Sequence, residues 1–295
     1  MPDSAQPAPA SAKILRCGER SLDLAKPQVM GIVNVTPDSF SDGGRYLTAS
    51  AAIEHGLRLA GEGAAILDIG GESSRPGALP VPLQEELARV LPVIQGLARA
   101  TRAVICVDTT KPEVMRQAVA AGAGIINDIR ALREPGALEA AAAGEAAVCL
   151  MHMRGEPRTM QEAPVYADVV AEVRQFLAGR IAACREAGIE AARICVDPGF
   201  GFGKTVEHNL ELLANLKELG ALGAPVLAGL SRKSMLGSLT GRGSGARVHG
   251  SVALAVLAVL GGARIVRAHD VAATVDALAV TAAVLAHTES GRRAH

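Results

Sequence analysis

The sequence has no net charge, no apolar stretch long enough to cross a bilayer and few aromatic side chains, and each absence removes a class of function. Lysine plus arginine and aspartate plus glutamate both number 30. No global field therefore draws the chain to nucleic acid or to an acidic membrane surface, and any anion site must be local. The longest apolar run, residues 252–260, is nine residues, far below the roughly 20 that a membrane helix needs. The opening segment 1–12, MPDSAQPAPASA, carries an acidic residue and no apolar stretch. It predicts a disordered tail rather than a signal peptide or an anchor. Five cysteines are present without metal-ligand spacing. Cys106, Cys149 and Cys195 fall inside apolar runs and read as small core residues in a reducing, cytoplasmic setting.

What the chain does contain is one unit repeated eight times: a short β-branched run, a polar residue or glycine at its end, a loop, and an amphipathic Ala/Leu-rich helix. Strands are expected near 29–34, 65–70, 104–108, 124–128, 147–151, 193–197, 226–229 and 264–267. Helices are expected near 48–61, 83–99, 111–121, 135–144, 165–187, 205–219, 247–261 and 270–287. Alternation of this kind implies right-handed βαβ crossovers and a parallel sheet, and eight units close into an α/β barrel of the (β/α)8 TIM type. The reading is a single domain over 13–288 between the tail 1–12 and a C-terminal tail 289–295. Residues 13–23 precede the first unit and predict a short N-terminal hairpin over the barrel floor.

In such a barrel the reactive side chains stand at the C-terminal ends of the strands, which meet on one face. Here those ends carry Asn34, Glu72 with Arg75, Asp108, Asn127 with Asp128, Met151 with His152, Asp197, Ser231 with Arg232 and Lys233, and Arg267 with His269. Any one Asp or Asn at a strand-to-helix turn is accounted for by helix capping; so many ends loaded at once point to a site. Arg75, Lys204, Arg232, Lys233, Arg267 and His269 all follow strands, so the mouth of a neutral chain should hold an anion. The loops after the seventh and eighth strands, where barrels often bind phosphate, are SRKSMLG and RAHD. Ionised Asp108 and Asp197 only accept hydrogen bonds and suit a ligand edge rich in N–H donors, with Asn127 matching a mixed edge. The same pair equally suits a divalent metal.

Two loops stand out. After the first strand, GIVNVTPDSFSDGG (31–44) turns from apolar to polar at Asn34 and carries Phe40, one of only four phenylalanines, between a proline turn and paired glycines. It reads as a lid with an aromatic tip. In DPGFGFGK (197–204), only three residues separate Gly199 from Gly203-Lys204 and Pro198 takes the place of the required glycine, so it is not a nucleotide-binding P-loop. Phe200 and Phe202, held in a glycine-rich loop, suggest stacking on a flat ring.

The motifs GIVNVTPDSFSDGG, LDIGGESSRPGA, VDTTKPEV, INDIRAL, CLMHM, VDPGFGFGK, LSRKSMLG and IVRAHD resemble, in order and spacing, those of the bacterial dihydropteroate synthases. The resemblance runs over about residues 14–285. It implies condensation of 6-hydroxymethyl-7,8-dihydropterin diphosphate with 4-aminobenzoate, and it implies a role for each matching position. Asp108, Asn127, Asp197 and Lys233 would bind the pterin, lined by Met151 and Phe202. Asn34 would contact Mg²⁺, and Asn34, Arg75, Arg267 and His269 the diphosphate. Phe40, Ser74, Pro76 and Ser234 would enclose 4-aminobenzoate, and Asp42 would face the reacting carbon. Many members carry Thr at the position of Ser74, which keeps the hydroxyl and loses a methyl. Two rivals remain. A methyltetrahydrofolate-binding methyltransferase barrel needs neither the diphosphate clamp nor the TPDSFSDGG loop. A non-catalytic pterin-binding paralogue should have lost a loop or a cation, and none is missing. Helix 252–260 is apolar all round and 271–286 nearly so, which, with the family, predicts a homodimer through the last helices.

Overall fold

The computed structural model describes residues 13–35, 45–73, 79–156, 159, 160 and 163–292. A hairpin of β1 (Ile14–Cys17) and β2 (Arg20–Asp23) precedes eight parallel strands: β3 (Gln28–Asn34), β4 (Ile66–Gly70), β5 (Val104–Asp108), β6 (Ile125–Asp128), β7 (Ala147–Met151), β8 (Ile194–Asp197), β9 (Leu227–Ala228) and β10 (Ile265–Ala268). Strands β3 to β8 pair in sequence order, and β10 joins β3 to β9. A bridge between Val196 and Val226, with Val196 N–H donating to Pro225 O at 3.0 Å, brings β8 and β9 together and nearly closes the barrel. The helices are α1 (Arg45–Gly61), α2 (Leu83–Ala100), α3 (Pro112–Ala120), α4 (Ala137–Ala142), α5 (Val169–Glu186), α6 (Val206–Ala214), α7 (Ser234–Thr240), α8 (Val248–Leu260) and α9 (Val271–Arg292).

The core divides by strand parity. Side chains alternate between the two faces of a strand, so each near-continuous apolar run feeds two separate clusters. Val33, Leu67, Ile69, Ile105, Val107, Val148 and Val196 point outward and are buried under the helices. Met30, Ile66, Val104, Cys106, Ile125, Cys149, Cys195 and Ile265 point inward and fill the barrel with Leu15, Cys17, Leu22 and Leu24 of the hairpin. The hairpin thus plugs the floor, as expected from the segment before the first strand. Gly124 makes that approach possible, since a Cβ there would stand 2.7 Å from Cys17 O. All five cysteines are buried and free.

Several elements depart from the sequence reading. Helix α9, expected to end near 287, runs to Arg292, into the segment 289–295 read as a tail. The sixth helix ends at Ala214 and continues as a 3₁₀ stretch, Leu216–Leu222, stopped by Gly223 at φ 70°. Helix α7 occupies most of the SRKSMLG segment read as loop. Some polar residues are spent on the frame. Asp168 caps α5 by accepting from Ala171 N–H at 2.9 Å, and Thr205 with His208 forms a capping box on α6. The buried Arg193 donates to Gly144 O at 2.6 Å, to Ala146 O at 2.8 Å and to Ala141 O at 3.3 Å, tying the end of α4 to the start of β8.

Replacing Arg193 by Met should strand those carbonyls without touching the barrel mouth. The expected outcome is a loss of about 2–3 kcal/mol of stability, read as a lower urea midpoint, with activity at 25 °C retained.

Candidate active site

The inward parity that fills the barrel with apolar side chains changes character one pleat further along. Beyond Cys106, Cys149, Cys195 and Ile265 on their own strands come Asp108, Met151, Asp197 and Arg267, and beyond Ile125 comes Asn127. Strand register sets Asn34 opposite Gly70, Gly70 opposite Asp108, Asp108 opposite Asn127, and Met151 opposite Asp197. Backbone bonds just past the strands hold this ring in place: Val35 N–H to Gly70 O at 2.8 Å, Thr109 N–H to Asn127 O at 3.0 Å and His152 N–H to Asp197 O at 2.9 Å. Two glycines keep the ring open. A Cβ on Gly70 would lie 3.8 Å from Asp108 Oδ2 and 4.0 Å from Asn34 Oδ1, and one on Gly229 would lie 3.7 Å from Asp197 Oδ2 and 4.0 Å from the Arg267 side chain. Asp197 and Arg267 therefore flank one point, although 70 positions separate them in the chain.

Charge is balanced inside this ring. Arg267 Nε donates to Asp68 Oδ2 at 2.6 Å and its Nη2 to Asp108 Oδ2 at 3.1 Å. Burial works against the guanidinium, yet Asp68 and Asp108 more than offset it and raise its pKa further. The Asp108 carboxyl is pushed up to about 7 by burial and by Asp68, against the pull of Arg267. Burial also raises Asp197, opposed by the Gly199 N–H that donates to its Oδ1 at 2.7 Å and by Lys233, Lys204 and Arg267. Burial lowers Lys233 to about 8, against the attraction of Asp197. Lys233 Nζ lies 4.1 Å from the centroid of the Phe202 ring, and Phe202 packs against the cluster of Met151, Met153 and Met160. The pocket thus offers two carboxylates, an amide, two cations and one aromatic wall. That combination suits a flat heterocycle with N–H donors along one edge and an anion at the other end.

The structure sorts the remaining candidates. Asp128 faces away from the barrel and accepts from Arg130 N–H at 2.7 Å and Leu132 N–H at 2.8 Å, as a turn cap. Glu72 is committed to Lys111. Arg232, expected among the anion-binding cations, forms a two-pronged pair with Asp270 at 3.0 and 2.5 Å. Lys204 is buried, and its ammonium donates to Gly199 O at 2.9 Å, Phe202 O at 3.1 Å and His152 Nδ1 at 3.0 Å. Burial lowers Lys204 to about 7, and burial with Lys204 alongside lowers His152 to about 3. Both belong to the packing beneath the glycine-rich loop, not to the rim. Phe200 is 1% exposed and lies in the outer core, so only Phe202 of that loop borders the pocket. The glycines serve contact: a Cβ on Gly199 would stand 1.9 Å from His152 O, and one on Gly203 would stand 2.2 Å from Arg154 O. At the eighth strand, His269 Nδ1 lies 3.0 Å from Ser231 Oγ, which also accepts from His269 N–H at 3.1 Å. Ser234 is exposed at the start of α7.

Phe40, Asp42, Ser74, Arg75 and Pro76 lie outside the described residues. Sequence reasoning overlooked Asp68, which is fully buried in the middle of β4. Its signal was a carboxylate between Leu67 and Ile69 in an otherwise apolar strand, since a buried charge demands a partner. Among the described residues no group of three or more His, Cys, Asp or Glu is placed to hold a metal. Asn34 offers one half-buried oxygen at the mouth. That donor fits Mg²⁺ arriving with substrate phosphates, since this ion keeps its waters and needs few protein ligands.

Three comparisons bear on this geometry. Residues 30–269 match the model of a family described as pterin binding enzyme. The dihydropteroate synthase of Escherichia coli is 53% identical over 272 residues, covering 92% of this chain and 96% of its own. The dihydropteroate synthase of Xanthomonas albilineans, solved with 4-aminobenzoic acid, is 59% identical with a TM-score of 0.88, covering 94% of this chain and 99% of its own. The same enzyme in complex with 7,8-dihydropteroate is 58% identical with a TM-score of 0.85, covering 92% and 99%. A barrel whose inner ring can grip a flat, donor-rich heterocycle, matched over nearly its whole length by such relatives, belongs to the pterin-binding enzyme family, among the dihydropteroate synthases.

Proposed function

We propose that this chain condenses 6-hydroxymethyl-7,8-dihydropterin diphosphate with 4-aminobenzoate to 7,8-dihydropteroate and diphosphate, a transferase step in folate synthesis. The observation that carries the reading is the convergence of Asp108, Asn127, Asp197, Lys233 and Arg267 on one barrel mouth, in a chain more than half identical to synthases bearing that name. Asp108 and Asp197 would accept from the amino and ring N–H groups of the pterin, Asn127 would match the adjoining edge, and Phe202 and Met151 would line the flat face. Arg267 and His269, joined by Arg75, would take the diphosphate, with Asn34 turned toward Mg²⁺. When bound, Mg²⁺ supplies charge that stabilises the departing diphosphate.

Catalysis then rests on electrostatics. The carbon–oxygen bond to diphosphate breaks as the electron-rich pterin spreads positive charge from its exocyclic methylene. Asp42 would stabilise that charge, the aminobenzoate nitrogen attacks, and its proton leaves to solvent. No protein nucleophile is needed. Preorganised charges cost no reorganisation at the moment of reaction, and losing one contact of this kind typically costs about 10² to 10³ in rate. Phe40, Ser74 and Pro76, with Ser234, would enclose the aminobenzoate and exclude water, which would otherwise capture the carbon as an alcohol.

The assembly we propose is a homodimer. On the neighbouring helices α8 and α9, Leu257, Leu260, Val280 and Val284 are 52%, 56%, 67% and 58% exposed, an apolar face that a second copy would cover. A cytoplasmic setting fits the five free thiols, and among the described residues no helix is long and apolar enough to cross a membrane.

Diphosphate release measured with both substrates and Mg²⁺ tests the activity, and Arg267→Ala is expected to lower kcat by about 10² or more; wild-type turnover in that variant would rule the assignment out. Asp197→Asn keeps the shape and removes the acceptor charge, so calorimetry should show pterin binding weakened by about 10- to 100-fold. Because Asp108 must be ionised to accept and Lys233 protonated to donate, kcat/KM for the pterin diphosphate should fall as pH drops through about 7 and again as it rises past about 8. A flat profile between pH 6 and 9 would contradict those roles. Light scattering should give twice the chain mass at micromolar concentration, and Leu257→Glu/Val280→Glu should give the monomer.

A further inference from the structure

Asp68 stands one pleat below the ring of pocket residues, on β4 opposite Cys106 of β5. Its carboxylate is fully buried. Arg267 Nε and Asn127 Nδ2 both donate to Oδ2, at 2.6 and 3.4 Å, whereas Oδ1 accepts no hydrogen bond from a described residue. Well-packed apolar side chains commonly replace a whole buried ion pair without loss of stability, so stability alone does not explain why Arg267 and Asp68 are both here. The two nitrogen donors that Asp68 accepts from are side chains of the pocket, with the buried Cys106 thiol alongside. We infer that Asp68 is a positioning residue for the pterin site, holding the Arg267 guanidinium to the pocket floor and aiming the Asn127 amide, so that Asp108 is free to turn its carboxylate to the heterocycle.

The reasoning follows from who competes for whom. Arg267 reaches two carboxylates through different nitrogens, and the shorter contact is to Asp68. When a ligand N–H engages Asp108, Asp68 still answers the guanidinium charge. Without Asp68, the carboxylate remaining in contact with Arg267 among the described residues is Asp108, and ligand and arginine would compete for its oxygens. Asp68, an acceptor only, also draws the nitrogen end of the Asn127 amide and leaves its oxygen facing away. Among the described residues nothing donates to the buried Asn127 Oδ1, as for an acceptor reserved for a ligand donor.

This inference rests on the proposed pterin site, and the test separates the two. Steady-state turnover is measured for wild type, Asp68→Asn, Arg267→Lys and the double variant, with Mg²⁺, varying each substrate against saturating amounts of the other. Asp68→Asn is expected to lower kcat/KM for the pterin diphosphate by about tenfold or more, while KM for 4-aminobenzoate moves less than about threefold. Because Asp68 acts through Arg267, the double variant should be little worse than the poorer single variant, whereas independent losses would multiply. No turnover in the wild type would sink the reading of the site. Normal wild-type turnover with Asp68→Asn within threefold of it, or with losses that multiply, would overturn this assignment alone. If Asp68→Asn does not fold, Asp68→Asn/Arg267→Met should recover the melting temperature by removing the stranded cation; a double variant no more stable than the single would also overturn it.

Discussion

The site depends on a cation placed where an uncompensated charge could not survive. Arg267 points into the barrel from β10, and the paired carboxylates of Asp68 and Asp108 make that position tolerable. The consequence spreads outward. Asp108 is held at the edge of protonation by its burial and, next, by its carboxylate neighbour Asp68, and the Asp197 and Lys233 charges attract each other. A ligand that brings N–H donors to the acids and an anion to the bases can replace intramolecular partners without leaving a buried charge unanswered. Electrostatic complementarity of that kind gives specificity before it gives affinity.

What makes the arrangement possible is strand parity. In the lower barrel, inward positions carry Met30, Ile66, Val104, Ile125 and Ile265, sealed by the hairpin. One or two pleats higher, the same face carries acids, an amide and an arginine. A dry, close-packed lower barrel gives the polar ring a rigid seat of low dielectric, where a hydrogen bond to a charge is stronger than in water. Gly70 and Gly229 leave room within the ring for a ligand. Glycine has the opposite task in the GFGFG loop, where the absence of side chains lets the backbone press onto His152 and Arg154 while the buried Lys204 ammonium gathers its carbonyls.

The eight strands and most helices were legible because their apolar periods are undisturbed, and the residues at strand ends were legible because a polar side chain closing an apolar run has few reasons to be there. Reading failed where identity alone was used to infer environment. Phe200 and Phe202 look equivalent in sequence, two residues apart, yet the loop turns Phe200 into the outer core and Phe202 toward the pocket. Arg232 and Lys204 counted as rim cations, but Asp270 neutralises the first and backbone carbonyls enclose the second. Asp68 was passed over because it sits inside a strand and not at its end.

By itself the sequence determined the barrel, its hairpin floor, the order of its units and the set of polar residues delivered to one face, since periodicity and strand-end chemistry are local properties of the chain. Only the tertiary structure decided which of those residues answer one another. Pairing of Arg267 with Asp68 and Asp108 spans 199 and 159 positions, and nothing local records it. Whether a charge is free for a ligand or already neutralised depends on distances across the closed barrel, and these exist only once β10 has met β3.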